Sequence, residues 1–340
     1  MAVCLIKQTA TKTAELLIGQ TLRGRAGSYV LTKQLEDSVW IAKDSQRENV
    51  IVKSVRHWRL QNERDVLRRF QHRTAYLRPL IDEIENPSDP PAIVLRWLDD
   101  DMLNASNAKR LTRPEVKHVA KGVLEALRVM HEDGCVHADV KPKNILVNYG
   151  KSGSRFQEVQ LADLGGSVSE DSEYAKEGEE MGTPIFRSPE AQLQLQWGPP
   201  TDIWSLGATV NFHMFKPGVP IDHPDYLLHI VLKYHRLFGP WPTSYAEIAD
   251  DKVMEVLDYT MSHSPKETLT PFKNIVKEEL CREDKQFLLK IMKLDPRDRP
   301  TARELLDDPW FYEDVPAVVT SSSPSVAIIH RQDAPQVLPA

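Results

Sequence analysis

The first hundred residues alternate apolar and polar positions in short runs, which predicts a region made mainly of β-strands. Strand patterns cover residues 29–41, 50–55, 76–84 and 92–98. Between the second and third runs, Val66, Leu67 and Phe70 recur at helical spacing among charged residues. We therefore predict a helix over residues 60–70 with strands on either side of it.

Helical periodicity replaces this pattern after the acidic run at residues 99–101. Thr112 and Glu115 have the spacing of a capping box, which predicts the start of a long amphipathic helix. The predicted buried face of this helix comprises Val116, Val119, Val123, Leu127 and Met130. Later segments are mainly helical up to residues 315–340, where prolines, consecutive serines and the lack of periodicity predict a disordered tail.

The composition narrows the class of protein without indicating its chemistry. The 340 residues suffice for two domains or for one domain with two lobes. With 41% apolar and 27% charged residues, collagen-like and wholly disordered chains are excluded. The net charge of −6 argues against a general nucleic-acid or membrane-surface binder.

The cysteines and the apolar runs bear on location. Cys4, Cys135 and Cys281 lie far apart, which argues against a disulfide framework or a metal knuckle and predicts an intracellular protein. The apolar run at residues 3–6 is too short for a signal peptide, and no run reaches the roughly 18 residues of a membrane span. Neither a leader nor a membrane anchor is therefore expected.

Two polar segments carry the candidate chemistry. The first follows the long helix and reads His137-Ala138-Asp139-Val140-Lys141-Pro142-Lys143-Asn144, and the second reads Leu161-Ala162-Asp163-Leu164-Gly165. Phosphoryl transfer requires a carboxylate that orients a hydroxyl and accepts its proton, and the side chain of Asp139 is such a group. It also requires oxygen ligands for Mg²⁺, which Asn144 and Asp163 would supply.

In this order the two segments resemble the catalytic loop H-R-D-x-x-x-x-N and the metal-binding loop D-F-G of eukaryotic protein kinases. The resemblance extends over roughly residues 29–312. Residues 50–53 resemble the V-A-I-K strand, residues 182–190 the close of an activation segment, and residues 202–207 the D-x-W-S-x-G helix. The sequences of residues 186–190 and 237–240 are similar to those of the CMGC kinase group.

The resemblance implies an α+β, two-lobed kinase-like fold. A small antiparallel β-sheet lobe would span residues 27–98 and a larger, mainly helical lobe residues 99–313. Residues 1–26 would be an N-terminal extension and residues 314–340 a disordered tail. Because Lys141 matches the serine/threonine pattern, the resemblance implies transfer of the γ-phosphate of ATP, with Mg²⁺, to an unknown protein substrate.

The resemblance also assigns a role to each candidate site residue. Asp139 would be the base, Lys141 would reach the transferring phosphate, and Lys53 would bind the α/β-phosphates with Glu63 as its ion-pair partner. Asn144 and Asp163 would hold Mg²⁺. The expected ATP contacts are Val39, Ile51, Lys53, Leu95, Trp97, Leu98 and Leu146. The expected structural or regulatory residues are His137, Leu164, Thr183, Glu190, Asp202 and Arg299, with Arg299 as the buried partner of Glu190.

Four departures from the family pattern are visible. The glycine-rich loop is missing, because only Glu36, Asp37 and Ser38 separate Leu35 from Val39. Gly24 and Gly27 lie too early to replace that loop and predict a turn. The other three departures are Ile51 for the usual Ala, Leu164 for the Phe of D-F-G, and Ala138 for the Arg of H-R-D.

The loss of that Arg leads to a hypothesis about charge. Residues 165–181 contain six acids and a single base, Lys176. The acids are Glu170, Asp171, Glu173, Glu177, Glu179 and Glu180. We expect this acidic segment to dock near Arg64, Arg68 and Arg69, the alternative being that both runs are solvated surfaces.

Two other functions remain open. A pseudokinase that only binds partners is favoured by the missing glycine-rich loop and by Ile51, and opposed by the five retained polar site residues (Lys53, Glu63, Asp139, Asn144 and Asp163). A small-molecule phosphotransferase would share the catalytic-loop pattern. It would lack the residue 182–190 closure, the residue 202–207 helix and Arg299.

Overall fold

The computed structural model describes residues 16–151, 153–210, 214–276 and 280–313. The described residues form two units. The strand unit comprises residues up to 68 together with 79–97, and the helical unit comprises residues 69–78 and those from 98 onward. The predicted tail and the first 15 residues, with Cys4, lie outside the described residues.

Six antiparallel strands of the strand unit close into a barrel in the order β1-β2-β3-β4-β6-β5. The strands are β1 (Thr21–Gly24), β2 (Ser28–Glu36), β3 (Val39–Lys43), β4 (Asn49–Ser54), β5 (Leu80–Asn86) and β6 (Ala92–Arg96). Helix α1 (Trp58–Phe70) follows β4. Because successive side chains of a strand point to opposite faces of the sheet, every second side chain packs inside the barrel. The buried residues of this core include Leu22, Leu31, Trp40, Val52 and Val94.

The predicted strand pattern of residues 29–41 divides into β2 and β3, because Asp37 and Ser38 form a turn between them. Residues 76–78 do not belong to β5. Instead, Tyr76 and Arg78 exchange backbone hydrogen bonds with Leu161 of the helical unit, and Pro79, which has no N–H, precedes the strand. Strand β1 was not predicted, and it lies ahead of the expected lobe boundary at residue 27.

The helical unit contains short strands and most of the helices. Its strands are β7 (Asp100–Asp101), β8 (Cys135–Val136), β9 (Ile145–Tyr149), β10 (Phe156–Leu161) and β11 (Val168–Ser169). Its helices are α2 (Met102–Ala108), α3 (Arg113–His131), α4 (Glu173–Lys176), α5 (Pro189–Gln192), α6 (Pro199–Val210), α7 (Tyr226–Phe238), α8 (Asp251–Ser262), α9 (Arg282–Ile291) and α10 (Ala302–Leu306). The strands pair in the orders β10-β9-β7 and β11-β8.

Helix α3 begins as the sequence predicts. The Thr112 side chain accepts from the Glu115 N–H, and the Glu115 carboxylate accepts from the Thr112 N–H, which completes the capping box. All five residues predicted for its apolar face are buried. The α+β fold class is confirmed, whereas the division at residues 27, 99 and 314 stays a prediction. Among the described residues, no helix is long and apolar enough to cross a membrane.

Candidate active site

Lys53 and Glu63 form the predicted ion pair within the strand unit. Lys53 lies on β4 and Glu63 on α1, and Lys53 Nζ donates to Glu63 Oε2 at 2.7 Å. Glu63 is only 1% exposed, whereas the Lys53 side chain retains 22% exposure. A buried carboxylate of this kind requires a cationic partner, so Glu63 fixes the position of the Lys53 ammonium group.

Four of the candidate ATP contacts in the strand unit share one face of three adjacent strands. In the register of the sheet, Val39 lies opposite Lys53, and Ile51 lies opposite Leu95. Directly opposed residues point to the same side of a sheet, as do residues two apart on a strand. These four residues therefore share the face opposite to the barrel core, and Ile51 and Leu95 are buried there.

A tight hairpin stands where the family pattern places its glycine-rich loop. Glu36 on β2 pairs directly with Val39 on β3, and the Ser38 carbonyl accepts a hydrogen bond from the Ser54 N–H at 2.9 Å. Glu36 and Asp37 are exposed. Two residues in a turn provide no long loop of backbone N–H groups with which to surround phosphates.

Gly24 and Gly27 form the turn that the sequence predicts, closed by a 2.8 Å hydrogen bond from the Gly24 N–H to the Gly27 carbonyl. The buried Asp82 carboxylate accepts from the N–H groups of Arg25 and Ala26 inside this turn and from the Tyr29 hydroxyl. A Cβ at Gly24 would lie 2.1 Å from Asp82 Oδ2. The turn therefore already holds a carboxylate of its own chain.

Asp202 of α6 supports the catalytic loop from inside the helical unit. Its carboxylate accepts from the backbone N–H of His137 at 2.7 Å and of Ala138 at 2.9 Å, and it contacts His131 Nε2 at 2.9 Å. His137 is fully buried, with Nε2 3.1 Å from the Ala162 carbonyl oxygen. These contacts hold Ala138 at a φ of +70°, a strained value for a residue that is not glycine.

Asp139 lies at the centre of a polar cluster. Its Oδ2 accepts from Lys141 Nζ at 2.6 Å, and its Oδ1 accepts from the Thr183 hydroxyl at 3.0 Å. Lys141 Nζ also lies 3.0 Å from Thr183 Oγ1, so the three side chains contact one another. Asp139 and Lys141 are each 22% exposed, which leaves the carboxylate accessible to a small polar group.

Asn144 and Asp163 supply the oxygen donors of the candidate metal site. Asn144 Nδ2 donates to the Asp139 carbonyl at 2.9 Å and lies 3.3 Å from Asp139 Oδ2, which orients Oδ1 as the amide atom suited to a metal. Asp163 is half-buried and has left-handed backbone angles, φ 62° and ψ 60°. An amide oxygen and a carboxylate fit Mg²⁺, which is usually bound by few protein ligands together with substrate phosphates.

The remaining predicted residues have the following places. Leu164 is fully buried, Leu98 is 6% exposed, and Trp97 and Leu146 are half-buried. Arg299 forms the predicted pair with Glu190, with two 2.7 Å hydrogen bonds between nearly unexposed side chains. The other Arg299 donors reach the carbonyls of Lys293, Pro200 and Leu294, so this buried charge is well satisfied.

Among the described residues, the three arginines that we expected near the acidic segment pair with other carboxylates. Arg64 pairs with Asp65 and Glu83, and Arg68 pairs with Glu83. Arg69 pairs with Asp133. Within the acidic segment, Asp171 lies near Lys176, and Glu180 pairs with Arg187.

Arg187 is the residue of this region that sequence reasoning missed. It is 4% exposed, and its guanidinium donates to the Met181 and Gly182 carbonyls. The signal was the single basic residue of the closing motif at residues 182–190, which follows an acidic run that ends at Glu180. Its carbonyl partners could not be read from spacing.

The Asp139 carboxylate, the candidate metal donors Asn144 and Asp163, and the Lys53–Glu63 ion pair are groups of the types that ATP-dependent phosphotransferases use. The family model of the protein kinase domain matches residues 17–311. The chain belongs to the protein kinase family.

Relatives at modest identity carry names from several kinase groups. A probable cyclin-dependent serine/threonine-protein kinase of Dictyostelium discoideum is 26% identical over 86% of this chain and 45% of its own length. A serine/threonine-protein kinase US3 homolog of Cercopithecine herpesvirus 9 is 25% identical over 92% and 88%. A calcium/calmodulin-dependent protein kinase type 1 of Macrobrachium nipponense is 26% identical over 74% and 61%. The chain thus spans less than two thirds of two of these relatives, and a relation to the CMGC group is not confirmed.

Proposed function

We propose that the chain is a protein serine/threonine kinase that transfers the γ-phosphate of ATP to hydroxyl groups of a protein substrate. The observation that carries the proposal is the cluster in which Asp139 accepts hydrogen bonds from both Lys141 and Thr183. The family membership and the serine/threonine kinase names of the relatives agree with it. An intracellular location and the absence of nucleic-acid or membrane partners remain part of this proposal.

Asp139 acts on the acceptor hydroxyl. Its carboxylate orients the hydroxyl and takes the proton as the oxygen attacks the γ-phosphorus, while the bond to the β-phosphate oxygen breaks and ADP leaves. The Thr183 hydroxyl, which donates to Oδ1 at 3.0 Å, supports this role, because it is an aliphatic hydroxyl bound to the same carboxylate. Because Lys141 reaches Asp139 within the same cluster, its ammonium group would stabilise the negative charge of the transferring group.

Lys53 and the two metal donors act on the nucleotide. Lys53, fixed by Glu63, binds phosphate oxygens of ATP. Asn144 Oδ1 and the Asp163 carboxylate would hold Mg²⁺, which would neutralise phosphate charge. Val39, Ile51 and Leu95, with Trp97, Leu98 and Leu146, contact the adenine and ribose.

A pseudokinase is less well supported, although the tight hairpin at residues 36–39 keeps it as the alternative. The side chains that act on the hydroxyl, the metal and the phosphates are all retained, and Asp139 and Lys53 have their supporting contacts. The hairpin alters the covering of the phosphates, which affects affinity for ATP more directly than the chemical step.

The proposal is tested by incubating the purified chain with γ-labelled ATP, Mg²⁺ and generic basic and acidic protein substrates. We expect label on serine or threonine, and its loss in the Asp139→Ala variant. Asp222→Asn, a change at an exposed carboxylate of the helical unit, is the matched control and should retain transfer. Absence of both transfer and any Mg²⁺·ATP-dependent thermal shift would favour the pseudokinase.

A further inference from the structure

Four consecutive backbone carbonyls lead from the acidic segment to the catalytic cluster, and each accepts a hydrogen bond from a side chain of the helical unit. Trp197 Nε1 donates to the Glu179 carbonyl at 3.0 Å, and the Tyr174 hydroxyl donates to the Glu180 carbonyl. Arg187 binds the next two, with Nε 2.6 Å from the Met181 oxygen and Nη2 3.2 Å from the Gly182 oxygen. Side-chain donors to four carbonyls in a row hold this stretch without regular secondary structure. We call Tyr174, Arg187 and Trp197 the carbonyl bracket.

Arg187 is fixed from both sides. Its buried guanidinium forms an ion pair with Glu180, with Nη2 3.0 Å from Glu180 Oε1. The Glu180 side chain is 60% exposed. Its backbone N–H approaches the Thr183 carbonyl at 3.2 Å, and its own carbonyl accepts from the Tyr234 hydroxyl at 2.7 Å. Burial raises the pKa of Tyr234 well above its ordinary value, so this hydroxyl stays protonated and remains a donor.

The two aromatic members of the bracket are held by packing. The rings of Tyr174 and Trp197 meet edge to face, with centroids 5.9 Å apart. They join a buried apolar cluster with Met181 and Ala138. The apolar side chain of Met181 is thereby anchored beside the catalytic loop while its carbonyl is held by Arg187.

The last carbonyl that the bracket holds, that of Gly182, directly precedes the residue that contacts Asp139. Gly182 has a φ of +59°, and a Cβ there would lie 2.5 Å from the Ala138 carbonyl oxygen, so the chain passes directly against the catalytic loop. The next residue, Thr183, donates to Asp139 Oδ1. A displacement of the Met181 and Gly182 carbonyls would therefore move Thr183 and, with it, the hydrogen bonds that orient Asp139.

We propose that the carbonyl bracket positions Thr183 and Asp139 in the unphosphorylated chain, with Arg187 as the principal positioning residue and Glu180 as its permanent anionic partner. Glu180 gives Arg187 a carboxylate partner from within the acidic segment, and Ala138 offers no guanidinium to a phosphate on this segment. The expected effect on kcat rests on the proposed kinase activity. The expected effect on the order of residues 179–183 rests on the contacts alone.

The kinetic experiment compares phosphatase-treated wild type, verified as unphosphorylated by mass spectrometry, with Arg187→Lys and Thr183→Val. Treated wild type is expected to retain its activity. Arg187→Lys should lower kcat about tenfold, because a lysine loses the fork that reaches two carbonyls and Glu180, while KM for ATP stays unchanged. Since both changes act through the same contact, the double variant should be no slower than Thr183→Val alone. Loss of activity on phosphatase treatment, or additive effects in the double variant, would overturn the proposal.

Arg155→Lys is the matched control, because Arg155 also donates to two backbone carbonyls of the helical unit, those of Ala105 and Lys109. It should lower stability as much as Arg187→Lys does without lowering kcat. If Arg187→Lys fails to fold, Glu180→Gln takes its place, with an expected fall in kcat of about threefold, since the two carbonyl contacts of Arg187 remain.

Amide hydrogen exchange gives a readout that needs no catalysis. The hydrogen-bonded N–H groups of Glu179, Phe186 and Arg187 should be protected in the unphosphorylated wild type, lose protection in Arg187→Lys, and keep it in Arg155→Lys. If the wild type is inactive but Arg187→Lys still loses protection, the proposed function is rejected and the bracket is retained. Unchanged protection and unchanged kcat in an active enzyme would reject the bracket and retain the function.

Discussion

The catalytic loop of the helical unit and the hairpin of the strand unit depart from the kinase pattern to different degrees. In the loop, Asp139 keeps its partners Lys141, Thr183 and Asn144, and Asp202 holds the backbone behind it. In the hairpin, two residues replace a glycine-rich loop, and Asp37 adds an exposed negative charge. The groups that we propose for the chemical step are thus kept, while the hairpin that stands in place of the glycine-rich loop is short. This difference predicts an enzyme with ordinary chemistry and weak affinity for ATP.

The largest expected effect lies in the loop. Asp139→Asn keeps the shape of the side chain but removes its basicity, so kcat should fall about a thousandfold. Melting temperature should change little because the side chain keeps its shape. KM for ATP should change little because Asp139 is proposed to act on the acceptor hydroxyl and not on the nucleotide. Steady-state kinetics together with thermal melts provide the measurement. A kcat within tenfold of wild type would show that Asp139 is not the base.

An intermediate effect is expected at the ion pair of the strand unit. Lys53→Met removes the proposed phosphate contact and leaves Glu63 buried without the Lys53 ammonium group, so kcat/KM should fall about a hundredfold. Lys33→Met is the matched control, since Lys33 is exposed on β2 of the same barrel. Equal losses in the two variants would mean that charge in general, rather than the Lys53–Glu63 pair, supports activity.

The smallest effect is expected at the hairpin. Asp37→Asn removes one exposed negative charge and should lower KM for ATP about threefold, with kcat within about twofold of wild type. Glu48→Gln, a change at another exposed acid of the strand unit, should leave both constants unchanged. The difference should shrink at high ionic strength, where exposed charges are screened. A fall in kcat instead would place the hairpin in the chemical step and remove the contrast with the loop.

The sequence predicts those parts of the molecule in which a local pattern carries the information. The capping box of α3 and the ordered catalytic motifs lie within short segments, and the Lys53–Glu63 and Glu190–Arg299 pairs follow from motifs that recur in the family. Strand β1 is four residues long, and its pairing with β2 and β5 is what makes it a strand, so its own residues gave no sufficient pattern.

The contacts of the carbonyl bracket were not predictable for a related reason. Donors to backbone carbonyls require no particular partner residue, so Arg187 and Trp197 leave no complementary signal at residues 179–182. The charge pattern instead suggested a partner for the acidic segment at Arg64, Arg68 and Arg69. Those arginines have carboxylate partners in Asp65, Glu83 and Asp133, which are closer in structure than a charge count along the chain indicates.

The central claim is tested most directly by measuring kcat and KM for ATP of the unmodified chain at saturating Mg²⁺ and acceptor substrate. The account predicts a kcat in the ordinary kinase range of about 1–100 s⁻¹. It predicts a KM for ATP at or above about 1 mM, the upper end of the usual range. Tight binding of Mg²⁺·ATP without phosphoryl transfer would contradict it, because the hairpin would then have left affinity intact while the catalytic loop had lost its chemistry.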